Sequence, residues 1–110
     1  MSTKQELAVH YAAQLSHALR LDEARGSKTA RRAPSLEEAI RDVVRQVDGM
    51  YYERTGRKLS AGEKYELYGL IAAELGVSAS QWGIIKESSI AQALSFEQLL
   101  VLLMQKVTYV

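Results

Sequence analysis

An all-α domain of five helices is predicted by two observations. The first is a Ser/Thr-x-x-Glu/Gln spacing that recurs at Thr3, Ser35, Ser60, Ser78 and Ser95. That spacing lets a hydroxyl and a carboxyl or amide reciprocally satisfy free N–H groups at a helix start. The second is that each such start is followed by apolar residues at three- and four-residue intervals, the mark of a helix with one buried face. The 110 residues fit one domain, and an apolar content of 47% with 25% charge is ordinary for a globular chain.

The first helix is expected over 4–21. Leu7, Tyr11, Leu15, Ala18 and Leu19 make its stripe, with His10 and His17 on the flank. Histidines seven apart sit two turns from one another, whereas a zinc pair on a helix needs i, i+4. Two half-exposed histidines are the simpler reading, and no metal or other cofactor is expected.

Residues 22–34 hold no large apolar side chain, and they carry four cations against two anions. They read as a mobile basic linker within a single domain spanning 1–110. The linker is either a solvated loop or an arm that lies along phosphates through Arg31 and Arg32.

Pro34 and the Ser35–Glu38 box open the second helix. Leu36, Ile40, Val43, Val44, Val47, Met50 and Tyr51 share one arc, Tyr52 lies on the polar side, and Gly56 ends the helix. A basic turn follows with Arg57 and Lys58, and Lys64 lies just inside the third helix, which Ser60 and Glu63 open. Tyr65, Tyr68, Ile71, Ala72 and Leu75 mark its buried face. Leu67 and Leu70 fall outside that arc, so more than one side is covered. Gly76 stands where a left-handed C-cap is needed. Ser78 then opens a fourth helix reaching to about Ala93. Ser95 opens a fifth over 96–107, whose apolar residues include Val101 and Leu102, well off the main face of Phe96, Leu99, Leu100, Leu103, Met104 and Val107. The second and fifth helices are expected to supply most of the core. Val101 and Leu102 are left for a homodimer interface.

The formal net charge is only +1. It divides into +3 for residues 1–64 and −2 for residues 65–110, so any basic surface must draw on the first part. With no cysteine there is no disulfide or thiolate site, which fits a cytoplasmic setting. The polar start lacks the apolar run of a signal peptide, and the longest apolar run, Leu99–Met104, is too short to span a bilayer. No phosphate-cradling glycine loop, no nucleophile beside a base and no metal spacing appears, so no enzyme activity is expected.

One stretch points further. Over residues 70–86, Ile71 and Ala72 precede the corner Leu75, Gly76, Val77, and Trp82 with Ile85 follow as apolar anchors. Alanine permits close helix contact and glycine permits positive φ. This pattern resembles the helix-turn-helix motif of DNA-binding proteins, over about a sixth of the chain. The resemblance implies a small DNA-binding regulatory protein whose fourth helix enters the major groove. Ser78, Ala79, Ser80, Gly83, Ile84 and Glu87 would face the groove, with Gln81 nearby the one usual adenine partner. Arg31, Arg32, Arg57, Lys58, Lys64 and Lys86 would hold phosphates. None of the groove-facing residues is Arg, Lys or Asn, so binding is expected to be dominated by phosphate contacts. The same corner also fits an αα-hairpin in a bundle. In that case the chain reads as a non-catalytic adaptor that binds another protein through Trp82, Ile84 and the apolar back of the last helix.

Overall fold

The structure, a computed structural model, describes residues 3–23 and 35–108. Over these residues the chain is all-α, as its sequence predicts. Five helices follow in order: α1 Thr3–Glu23, α2 Leu36–Thr55, α3 Ala61–Glu74, α4 Ala79–Ala91 and α5 Phe96–Thr108. The expected basic linker lies outside the described residues, except that Asp22 and Glu23 belong to α1.

The starts of the helices follow from their caps. Ser35 accepts from the Glu38 amide at 3.1 Å while Glu38 accepts from the Ser35 amide. Ser60 with Glu63 and Ser95 with Gln98 close the same reciprocal pair of bonds. Ser78 takes the Gln81 amide at 3.2 Å, the serine half of the expected box. At α1 the Glu6 carboxylate, expected to fold back on Thr3, reaches across to Arg54 at 2.8 Å.

The stops are as specific. Gly56 ends α2 with φ +73°, its amide bonded to the Tyr52 carbonyl. Gly76 sits at φ +88°, and the amides of Gly76 and Val77 bond back to Ala73 and Ala72. This is the six-residue closure that an αL residue makes possible. α4 ends by the same closure two residues earlier than its sequence suggests. Leu94 and Ala93 donate to Ser89 and Ile90, with Ala93 at φ +53° in place of a glycine.

α1 packs on α2 and α3, α5 on α2 and α4, and α3 on α4. The core is wider than the second and fifth helices. α1 contributes Leu7, Ala8, Tyr11, Ala12, Leu15 and Ala18, and α3 contributes Leu67, Tyr68, Ile71 and Ala72, against Ile40, Val43, Val47 and Tyr51 from α2 and Leu99, Leu100, Leu103 and Met104 from α5. The first helix has a weak wheel pattern because alanines fill its buried side. Small residues there let α2 and α3 approach it closely, and that approach buries Tyr11 completely. Burial raises the pKa of the Tyr11 phenol, and that of Tyr68 still more strongly, so both remain neutral in the core. Leu67 is fully buried despite lying outside the expected arc, and Tyr65, assigned to that arc, is only half-buried. α3 is therefore covered on several sides, by α1 and by α4. No helix among the described residues is long and apolar enough to cross a membrane.

Candidate functional site

The corner between α3 and α4 is built from the residues that the motif pattern selects. Ile71, Ala72, Val77 and Ile85 are buried, while Leu75 and Trp82 pack half-buried against the same core. The Nε1 side of the Trp82 indole lies against Gly69, so close that a Cβ on that glycine would stand 2.6 Å from Nε1. This contact seats α4 on α3. It leaves Ser80, Gln81, Ile84 and Glu87 facing solvent, with Ile84 66% exposed.

The expected phosphate-holding residues part into two groups. Arg31 and Arg32 lie outside the described residues. Arg57 turns toward α2 and α3: its guanidinium donates to Tyr51 Oη at 3.2 Å and stands 3.7 Å from Glu63. That tyrosine contact raises the Arg57 pKa. Glu63 also meets Lys4 at 3.4 Å, and the Ser60 amide bonded to its carboxylate holds its pKa down. Arg57 thus belongs to a surface network that ties the end of α2 to the starts of α1 and α3.

Lys58, Lys64 and Lys86 form the second group: contacts join Lys64 to Lys86, and Lys58 borders a depression that Asp48 also lines. Lys58 and Asp48 line one shallow depression together with Gly49 and Tyr52. Asp48 Oδ2 lies 3.2 Å from Lys64 Nζ. The Lys64 ammonium stands 5.5 Å over the Phe96 ring, and that ring lies 5.1 Å from Tyr65. Lys86 of α4 stands 5.8 Å over Tyr65. Both distances suit the attraction of a cation to the negative face of an aromatic ring. Lys64 of α3 and Lys86 of α4 therefore stand over adjoining half-exposed aromatic rings, and Lys58 of the α2–α3 turn extends this band by way of the depression it shares with Asp48. Phe96 anchors the band to the core by stacking on Tyr68 at 5.0 Å.

The remaining candidates are apolar. Val101 is 39% exposed on α5, whereas Leu102 is half-buried against the core. Ile90, on another flank of α4 from Ile84, is 54% exposed and was not singled out by its spacing. Among the described residues no cluster of His, Cys, Asp or Glu is arranged to hold a metal. His10 bonds Gln14 at 3.2 Å and packs edge-on to Tyr11. No protein-family model matches the chain, and neither a curated protein nor a solved structure matches it.

Proposed function

We propose that this chain is a small, non-catalytic DNA-binding regulatory protein of helix-turn-helix type that grips duplex DNA mainly through its phosphates. The observation that carries this reading is the lysine band, which runs from Lys58 through Lys64 to Lys86 and so ends on the helix that would enter the groove. The Lys64 and Lys86 ammonium groups, held over aromatic rings, have fewer rotamers to lose on meeting a phosphate. The outward face of α4 brings Ser80, Gln81 and Ile84 to the groove. Gln81 can pair with adenine and Ile84 can touch a thymine methyl, so base discrimination is weak. Arg57, Arg31 and Arg32 add charge around this core. A cytoplasmic setting fits the cysteine-free sequence. A second copy docked over Val101, beside the half-buried Leu102, would give the two-fold symmetry that paired half-sites need, and sedimentation of the full chain reads that state.

A mobility-shift assay on random duplex DNA across a salt series tests the reading. The log–log salt slope should be about −0.9 for each phosphate neutralised. Charge reversal at Lys58, Lys64 or Lys86 should each reduce the slope by about one and weaken binding alike on every sequence. Absence of a retarded complex at low salt refutes it.

A second reading has its own observation. Ile84 and Ile90 are the most exposed large aliphatic side chains among the described residues, and both are on α4. If DNA fails, these residues make the chain a protein-binding adaptor. A pull-down by the full chain that is lost in Ile84→Ser would support it, and one that survives would sink it.

A further inference from the structure

α2 contains a choice that its own packing does not require. Gly49 lies inside the helix, where glycine is less stable than alanine because it leaves more conformational freedom to the unfolded chain. A Cβ built on Gly49 meets nothing within 4 Å. Neither a close neighbour nor a positive φ demands this glycine. Gly49 is exposed and lines a depression together with Asp48, Tyr52 and Lys58, about 360 Å³ in volume, into which a longer side chain at this position could extend. The Tyr52 ring is 54% exposed there, and the Lys58 side chain borders the same space. Gly62 of α3 and Gly83 of α4 have the same open space around them, and what distinguishes Gly49 is that it lines this depression.

We infer that this depression receives one unstacked nucleobase of a single-stranded or frayed nucleic-acid strand, with Tyr52 as its stacking platform, Lys58 on the adjoining phosphate and Gly49 leaving room for the base. The inference rests on the nucleic-acid reading above and goes beyond it, because a base within an intact duplex cannot reach a side-chain pocket of this kind. The chemistry follows the general form of single-strand recognition, in which a basic track follows the backbone and aromatic rings accept successive bases. Here the track is the remainder of the band. Asp48 links the depression directly to Lys64, and Lys64 leads by way of Phe96 and Tyr65 to Lys86. Every base offers a π face to Tyr52, so the site is sequence-tolerant.

Fluorescence anisotropy on the full chain at low salt tests this, with a labelled single-stranded oligonucleotide of mixed sequence and its duplex. Two variants act on the pocket by opposite means. Tyr52→Leu removes the platform, and Gly49→Leu fills the floor while favouring the helix. Both should weaken single-strand binding about tenfold, the scale of losing one stacked base, and leave duplex binding within about twofold. Far-ultraviolet circular dichroism checks that both variants stay folded. Unchanged single-strand affinity in both variants overturns the inference, and so does an equal loss on duplex. Displacement of the strand by a free mononucleotide would assign the pocket to small nucleotides and also overturn it. Binding to duplex but not to the single strand overturns the inference alone. Binding to neither removes the underlying reading as well.

Discussion

Replacing Gly69 with alanine tests how α4 is held, and the opposing effects can be worked from the geometry. The new Cβ would stand 2.6 Å from Trp82 Nε1, 3.1 Å from Cε2 and 3.2 Å from Cδ1. Ordinary contact between such atoms is about 3.5–4.0 Å, so the indole must retreat by about 1 Å. Three atoms of one rigid ring are met at once, and a small torsion at the end of a flexible chain cannot relieve them. Overpacking of this kind costs about 1–3 kcal/mol. Against it stands the helix preference of alanine over glycine, about 0.8–1.0 kcal/mol. The expected net effect is a loss of about 1 kcal/mol. Trp82 is the single tryptophan of the chain, so its emission reports the displaced ring directly. In a Trp82→Leu background the clash disappears and only the helix preference remains, so the same Gly69→Ala change should then stabilise. Urea unfolding of the four proteins, followed by circular dichroism, gives both signs and a coupling energy of about 1–3 kcal/mol. If Gly69→Ala stabilises in both backgrounds and leaves the emission spectrum unmoved, α4 is not seated on α3 through this contact. The orientation assigned to Ser80, Gln81 and Ile84 then falls with it.

Two further outcomes follow from the ends of the helices. Ala93 carries φ +53°, a conformation that costs an L-residue about 1–2 kcal/mol, partly offset in Ala93→Gly by the greater freedom of an unfolded glycine. Ala93→Gly should therefore raise the melting temperature by about 3–6 °C, and a lower one would contradict the left-handed closure of α4. The Ser60 amide, with Lys4 adding to its effect, depresses the Glu63 pKa below its ordinary value of 4.5. Its contribution to stability is thus present above the unfolded pKa and lost as pH falls through the lower folded pKa. Denaturant midpoints measured in acid should fall less steeply for Glu63→Gln than for the parent chain, and parallel curves would remove Glu63 from the acid response.

The fold was legible because its signals are local. A serine and the Glu or Gln three residues on carry their own geometry, and Ser35, Ser60 and Ser95 close the expected bonds without help from the rest of the chain. The extent of the core was less legible. α1 buries alanines at positions 8, 12 and 18, which score poorly as hydrophobic signals yet set the spacing between helices. Leu102 shows the converse. Wheel position sets it apart from the main face of α5, but α5 is covered by both α2 and α4, and the residue packs half-buried on the core. A side chain's angle on one helix does not state how many neighbours that helix has.

The lysine band could not be read from spacing, for a physical reason. Lys58, Lys64 and Lys86 are separated by six and twenty-two residues, and their neighbourhood is made by Phe96, a residue of a fourth segment. A count of charge along the chain assigns residues 65–110 an excess of acid, through Glu66 and Glu74 of α3, and directs attention away from Lys86. Tertiary packing places Lys86 over Tyr65 of α3, next to the ring that Lys64 neighbours. Arg57 moves the other way. In sequence it adjoins Lys58, but its guanidinium is held by Tyr51 and faces Glu63, so it reinforces the corner and lends less to the band. Net charge is thus a poor guide for a protein of this size. What steers an anionic polymer is the local field, and at about 0.1 M salt that field reaches only about 10 Å. Within that reach of Tyr65 and Phe96 stand the ammonium groups of Lys64 and Lys86, the Asp48 carboxylate that pairs with one of them, and Glu66 and Glu97, the chain neighbours of the two rings, so the direction in which each group points decides the local sign.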